Sequence, residues 1–382
     1  MKKVLSIVLA MVMLLACAAM AETVKIGVYE PASGDNGAGG KQEVLGMQYA
    51  NSVQPTVEID GTEYTVQLNI VDNESSTDKA PSAAAEAAEG ATVVLGSYGS
   101  AVCIAAGDTF KSAGVAAIGV TCTNPQVTEG NEHYFRICFL DPFQGTVQAN
   151  FAHDELGATG VAYCLGQLGN DYDQGLINYF SEAAEGLGME VIAESFPEGN
   201  SDFTSYLTNA KNAGAEVIFA PTSISYAQLI IEQAAAQGIE IPLLAGDTWD
   251  SNVILAAAEG KDVTINVTTF YAEGGDPAFE EGFRAWLNDD ATALANNGGN
   301  DTIAAVSVMG YDAYYTALEA LKNAVSVDPA DVMAALAGTT YTGVSGAIAF
   351  DETGDAIRDA AYIKAVNTET GVWDFVAVQG IG

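Results

Sequence analysis

Along the chain, short apolar runs alternate with longer stretches in which apolar residues recur every three or four positions. Residues 24–29 are a β-branched run, followed by a glycine-rich loop at 34–40 and a helical stretch over 41–52. Strands at 64–71, 92–96 and 115–120 are separated by helical patterns over 79–88 and 101–112. The alternation resumes after residue 140. Segments 160–165, 190–195, 216–221 and 241–246 read as strands, with helices near 174–187, 203–213 and 225–237. Further helices follow over 277–288, 302–323 and 329–336, and the chain closes with strand-like 347–351, 360–368 and 373–378. Continuous apolar strands separated by helices of about 10–15 residues imply parallel sheets covered on both faces. Two such series predict an α/β protein of two doubly wound lobes. No low-complexity linker separates them, which predicts several short crossovers rather than one tether.

The length of 382 residues suits that division, because single cores stop growing near about 250–300 residues. Hydrophobic residues make up 49% of the chain and charged ones 16%, so it has the content of a packed protein rather than of an acidic disordered one. Thirteen Lys and Arg stand against 50 Asp and Glu, a net charge of −37. Neutralising phosphates needs clustered basic residues, so nucleic acid is excluded as a partner, and so is an anionic membrane surface.

Residues 1–21 have the plan of an export signal. Lys2 and Lys3 precede an uncharged apolar run that ends in Ala19-Met20-Ala21, a small-x-small cleavage pattern, before Glu22. Leu14-Leu15-Ala16-Cys17 is a competing lipobox, in which an acyl chain on Cys17 would be the one membrane attachment. Leu15 fits its middle position less well than Ala or Ser, so cleavage after Ala21 is preferred. Either way the protein is expected outside the cytoplasm, periplasmic or extracellular. The remaining cysteines, Cys103, Cys122, Cys138 and Cys164, contain no C-x-x-C and no zinc spacing. They read as small buried hydrophobes, with one disulfide among the first three as the alternative.

Enzyme signatures fail in turn. The 34–40 loop sits where a dinucleotide fingerprint would, yet Gln42 stands where the third glycine belongs and Lys41 is not followed by Ser or Thr. The two histidines, His133 and His153, form no H-E-x-x-H pattern, and no G-x-S-x-G elbow occurs. Asp171-Tyr172-Asp173-Gln174-Gly175 lacks the later ligands of a calcium loop. The expectation is a protein that is not an enzyme and needs no cofactor or metal.

What remains is a set of polar residues just after strand C-termini, where doubly wound sheets bind ligands. Ser100 follows Gly96-Ser97-Tyr98-Gly99 and opens a helix. Thr121 and Thr123 follow the strand 115–120, Tyr172 follows 160–165, and Asp247 follows 241–246. Hydroxyls and helix N-termini offer donors to an anion, and a cleft aspartate offers a partner to a cation. Capping and turn formation account for each residue singly. Together they describe a receptor for a zwitterion.

At these residues the sequence resembles the type I periplasmic solute-binding proteins of the leucine/isoleucine/valine-binding group, which feed ABC importers. The resemblance spans 24–378. It is carried by Val24-Lys25-Ile26-Gly27-Val28 with Ser33-Gly34, and by Val94-Leu95-Gly96-Ser97-Tyr98-Gly99-Ser100. Tyr134-Phe135-Arg136, Gly246-Asp247-Thr248-Trp249-Asp250-Ser251, Gly310-Tyr311-Asp312-Ala313 and Phe350-Asp351-Glu352-Thr353-Gly354-Asp355 complete it. It implies two lobes joined by three crossover strands near 139–141, 270–273 and 350–351. The first lobe would be 22–139 with 273–350, and the second 140–272 with 351–382. It places a ligand carboxylate near Ser100, Thr121 and Thr123 and an ammonium group at Asp247, with Tyr172 closing from the second lobe. It also implies an amino-acid ligand, branched-chain or related, and an ABC permease as partner.

Departures concern the ligand's side-chain pocket. A tyrosine often supplied by the first loop corresponds to about Gly39, and a second-lobe tyrosine to roughly Ser223. Tyr98 is an addition, Asp173 stands where Gly usually follows Tyr172, and the family's cysteine pair is not matched at Gly99 or within 72–75. The alternatives are a same-fold receptor for an amide, a urea-like compound or an aromatic acid, and an exported sensory module.

Overall fold

The computed structural model describes residues 22–380, so the expected export signal and Cys17 lie outside the described residues. Two sheets carry two lobes, and a separate two-stranded sheet pairs Thr340–Gly343 (β12) with Gly346–Ala349 (β13). The first has the order β2-β3-β1-β4-β5-β6, formed by Thr56–Ile59, Thr62–Asp72, Glu22–Glu30, Val93–Leu95, Ala117–Gly119 and Tyr134–Arg136. β1, β3, β4, β5 and β6 run parallel, and β2 pairs antiparallel on the edge. The second sheet has the order β15-β14-β11-β10-β9-β7-β8. Its parallel part is Val161–Gln167 (β7), Glu190–Phe196 (β8), Ala215–Phe219 (β9), Leu243–Ala245 (β10) and Ile265–Thr269 (β11). Ala361–Asn367 (β14) and Val372–Gln379 (β15) are antiparallel additions at one edge. The expected doubly wound pair is present, with antiparallel edges that the parallel reading did not include.

Burial explains why the parallel strands were legible. Val93–Leu95, Ala117–Gly119 and Ile265–Thr269 are buried at every position, as strands covered on both faces must be. Each sheet reverses its winding at one point. β1 lies between β3 and β4, and β7 between β8 and β9. Doubly wound sheets open a crevice at such a switch, and the loops after β1, β4, β7 and β9 therefore meet there.

One boundary differs in a way that matters. Helix Gly37–Val53 begins inside the glycine-rich segment rather than after it. Glycine is a poor helix former, but here the missing Cβ atoms allow close packing. A Cβ on Gly40 would sit 2.2 Å from the Pro31 carbonyl oxygen. The helix Ala305–Asn323 lies across this one, and Ser307 Oγ donates to the Gln42 carbonyl at 2.7 Å.

Aromatic pairs and one ion pair join segments distant in the chain. The rings of Phe139 and Phe270 lie 4.3 Å apart, and Phe350 packs edge-on to Phe135 at 5.3 Å. Arg136, fully buried, pairs with Asp355 at 2.6 Å. The four described cysteines are free and buried.

Candidate functional site

Asp247 begins a short 3-10 turn, Asp247–Trp249, directly after β10. Its side chain is 1% exposed and no cationic group stands within ion-pair distance among the described residues. Neutral groups fix it. Gln144 Nε2 donates to Oδ1 at 3.0 Å, while the Asp247 backbone N–H donates back to Gln144 Oε1 at 2.8 Å. Thr268 Oγ1 donates to the same Gln144 oxygen at 2.7 Å. Tyr172, in the first turn of helix Asp171–Gly186, donates its hydroxyl to Asp247 Oδ1 at 2.9 Å. Both donors therefore share one oxygen.

Tyr172 reaches Asp247 only because residue 246 is glycine. A Cβ there would stand 2.3 Å from the Tyr172 hydroxyl. The tyrosine itself is placed by Asn170, whose Oδ1 accepts from the backbone N–H groups of Tyr172 and Asp173. Asp173 turns away from the cleft and accepts from the Gln167 N–H at 2.8 Å.

The opposite wall comes from the first lobe. Ser100 opens helix Ser100–Ala113, and its Oγ accepts from the Asn124 N–H at 3.1 Å, which leaves its own proton free to donate. Thr123 Oγ1 and Asp141 Oδ2 are both buried, and the Thr123 hydroxyl lies close enough to Asp141 to favour its carboxylate. The Thr121 hydroxyl is committed instead to Glu43, which corrects its expected place as a side-chain donor in the cleft. Glu43 and Glu30 are both buried carboxylates, and Glu30 Oε2 accepts from the Tyr98 N–H at 2.7 Å. The loop carrying Thr121 and Thr123 is held from behind by Arg136, whose Nη1 donates to the carbonyls of Cys122 and Asn124.

The lobes meet through further contacts. Asn36 Oδ1 accepts from the Ile224 N–H at 3.3 Å, and Asp35 accepts from Ser225 through both backbone and side chain. The first lobe thereby caps the N-terminus of helix Ile224–Gln237, whose own N-cap residue, Ser223, makes no side-chain cap. Tyr98 donates its hydroxyl to the Thr248 carbonyl at 2.9 Å. The structure thus brings Tyr172 onto Asp247 and Tyr98 onto the neighbouring Thr248, with Ser100 bonded to the loop that carries Thr123 and Thr123 beside Asp141. It sets Ser223 at the rim and turns the Thr121 hydroxyl toward Glu43. Gln144, Glu43, Glu30 and Asn36 were not found from sequence. Glu30 carried a usable signal, being a charged residue at the end of an apolar strand. The others lie on helices or in a loop, where spacing gives none.

Burial without cations raises the proton affinity of these carboxylates. Desolvation pushes Asp247 and Asp141 up to about 7 and Glu30 up to about 8, and Glu43 is raised as well. Between about pH 4, where unfolded carboxylates ionise, and pH 8, the folded protein holds protons that the unfolded chain has released. Stability must then fall as pH rises through that window. Thermal melts of the ligand-free protein should show the midpoint dropping steadily from pH 5 to 8.5; a midpoint that climbs over this range would contradict these protonation states.

The chain is similar to known proteins. A family profile described as periplasmic binding protein matches residues 23–370. The Leu/Ile/Val-binding protein homolog 1 of Brucella abortus (strain 2308) is 30% identical over 337 residues, 87% of each chain. Among solved structures, a leucine binding protein, LivK, from Thermotoga maritima MSB8 superposes with a TM-score of 0.82 at 31% identity. That match covers 94% of this chain and 99% of the other. The branched-chain amino acid transporter substrate binding protein LivJ from Streptococcus pneumoniae, solved with isoleucine, gives 0.80 at 25% identity, covering 94% and 99%.

Proposed function

The chain belongs to the periplasmic binding protein family, and from that premise we propose that it is an extracytoplasmic receptor for an α-amino acid. It captures the ligand between its lobes and delivers it to an ABC permease. One observation carries this reading: Asp247 is a buried carboxylate held by neutral donors on one oxygen, with no cation beside it. A ligand ammonium group is the partner such a site lacks.

The other roles follow from position. The Ser100 hydroxyl, the Thr123 hydroxyl and the N-terminus of helix Ser100–Ala113 take the ligand carboxylate. Tyr172 donates across the ligand from the second lobe, Tyr98 and Ser223 border its side chain, and the main chain of Thr121 lines the floor. Closure brings these groups together and engages Asp35 and Asn36 with the helix Ile224–Gln237, a contact available only when the lobes meet. The division into 22–139 with 273–350 and 140–272 with 351–382 belongs to the same reading. It is supported by the first sheet drawing its strands from 22–136 and the second from 161–269 and 361–379.

A thermal-shift panel tests the proposal on the mature protein. The twenty L-amino acids, benzoate, acetamide and urea are each added at millimolar concentration. At least one α-amino acid should raise the melting temperature by several degrees, as ligands that bind only the native state do. Stabilisation by benzoate with no response to any amino acid would sink the assignment in favour of an aromatic-acid receptor.

A further inference from the structure

Tyr98 is fixed at both ends. Its backbone N–H donates to Glu30 Oε2 at 2.7 Å in the first lobe, and its hydroxyl donates to the Thr248 carbonyl at 2.9 Å in the second. The ring between them is 2% exposed and lies over Gly39. A Cβ on Gly39 would come within 2.5 Å of ring atoms Cε2 and Cζ. The same ring joins an apolar cluster that includes Trp249 and Ile224 from the second lobe and Val306 from the segment following it. Around Asp247 little internal surface is left: Thr222 is 0%, Thr121 3% and Thr248 4% exposed.

We propose that Tyr98, seated over Gly39, is the wall that limits ligand side-chain length, so that the cleft takes α-amino acids with compact side chains, alanine to valine, ahead of leucine, isoleucine and phenylalanine. This rests on the amino-acid reading above. With the ligand's ammonium at Asp247 and its carboxylate at Ser100 and Thr123, the Cα is held between the two lobes. Tyr98 stands two residues before Ser100 and its hydroxyl ends one residue past Asp247, so the ring spans the same gap that a side chain must enter. A longer side chain has to displace a ring that is packed on its faces and hydrogen-bonded through its hydroxyl, and overfilling a packed site is unfavourable. Gly39 is the other half of the device. Any L side chain at residue 39 collides with the ring, so the tyrosine needs glycine there to occupy this position.

Titration calorimetry with L-alanine, L-valine, L-leucine and L-phenylalanine tests the idea on the wild type and on Y98A, Y98F, G39A and G39A/Y98A. Thermal melts confirm that each variant is folded. The wild type should bind alanine or valine at least tenfold more tightly than leucine or phenylalanine. Y98A should shift that ratio at least tenfold toward leucine, whereas Y98F, which keeps the ring, should retain the wild-type ranking. G39A should weaken binding of every ligand about fivefold or more, and G39A/Y98A should bind leucine better than G39A does. Leucine or phenylalanine binding the wild type as tightly as valine overturns the proposal, and so does an unchanged ranking in Y98A. If none of the four binds the wild type, the proposal falls too. The thermal-shift panel then shows whether the amino-acid reading falls with it.

Discussion

Replacing Asp247 by Asn should weaken binding of the cognate α-amino acid by roughly a hundredfold to several thousandfold, about 3–5 kcal/mol. The amide keeps an oxygen for Gln144 and Tyr172, so the loop geometry survives. The charge is lost, and an N–H donor replaces the second acceptor oxygen. On the proposed function, a buried ammonium faces a buried carboxylate in the bound wild type; in D247N it faces a dipole, and the desolvation cost of the cation is no longer offset. The same logic fixes the pH dependence. Because burial raises Asp247 to about 7 in the ligand-free protein, the ammonium must displace a proton below that pH. Wild-type affinity should therefore fall as pH drops from 8 to 5.5, opposite in direction to the rise in stability, while D247N should lose most of this slope. Calorimetry at pH 8 and 5.5 reads both effects. An amino-acid affinity within threefold of the wild type in D247N at pH 8 would remove Asp247 from the ammonium site.

How much of this was legible depends on where each residue takes its signal. The parallel strands were readable because burial on both faces makes them continuous apolar runs, as in Ile265–Thr269 and Val93–Leu95. β6 was not, since Tyr134-Phe135-Arg136 places a guanidinium at 0% exposure inside a strand, and sequence alone gives no sign that its partner lies 219 residues away. The start of Gly37–Val53 was hidden for another reason: helix propensity argues against glycine, while tertiary packing against Pro31 and Tyr98 demands it. Asp247, Ser100 and Tyr172 each follow a strand C-terminus as expected, which is where such sheets present ligand groups. Gln144 lies in a helix turn whose neighbours predict nothing about Asp247, 103 positions on. The reading of Thr121 failed at the level of the side chain. The buried Glu43 that captures its hydroxyl comes from a helix with no sequence link to it.

Arg136→Met should cost about 3–5 kcal/mol of folding stability, the range for breaking a buried ion pair from one side. Arg136 is fully buried, and its guanidinium serves five acceptors at once: Asp355 Oδ1, the carbonyls of Cys122, Asn124 and Pro125, and Thr128 Oγ1. Methionine fills much of the volume and satisfies none of them. Arg136→Lys should recover little, because an ammonium on a flexible stem cannot spread its donors across this planar fan. The effect should extend to ligand binding, because the anchored carbonyls belong to the loop carrying Thr121 and Thr123, which the proposed function sets against the ligand carboxylate. Urea unfolding of ligand-free protein measures the loss. The double variant R136M/D355N should be less destabilised than the sum of the singles, since removing both charges leaves no unpaired one behind. A loss below about 1 kcal/mol for R136M, well under the cost of stranding a buried carboxylate, would mean that water replaces the guanidinium. The loop 121–125 would then be held by its own turn geometry rather than by this residue.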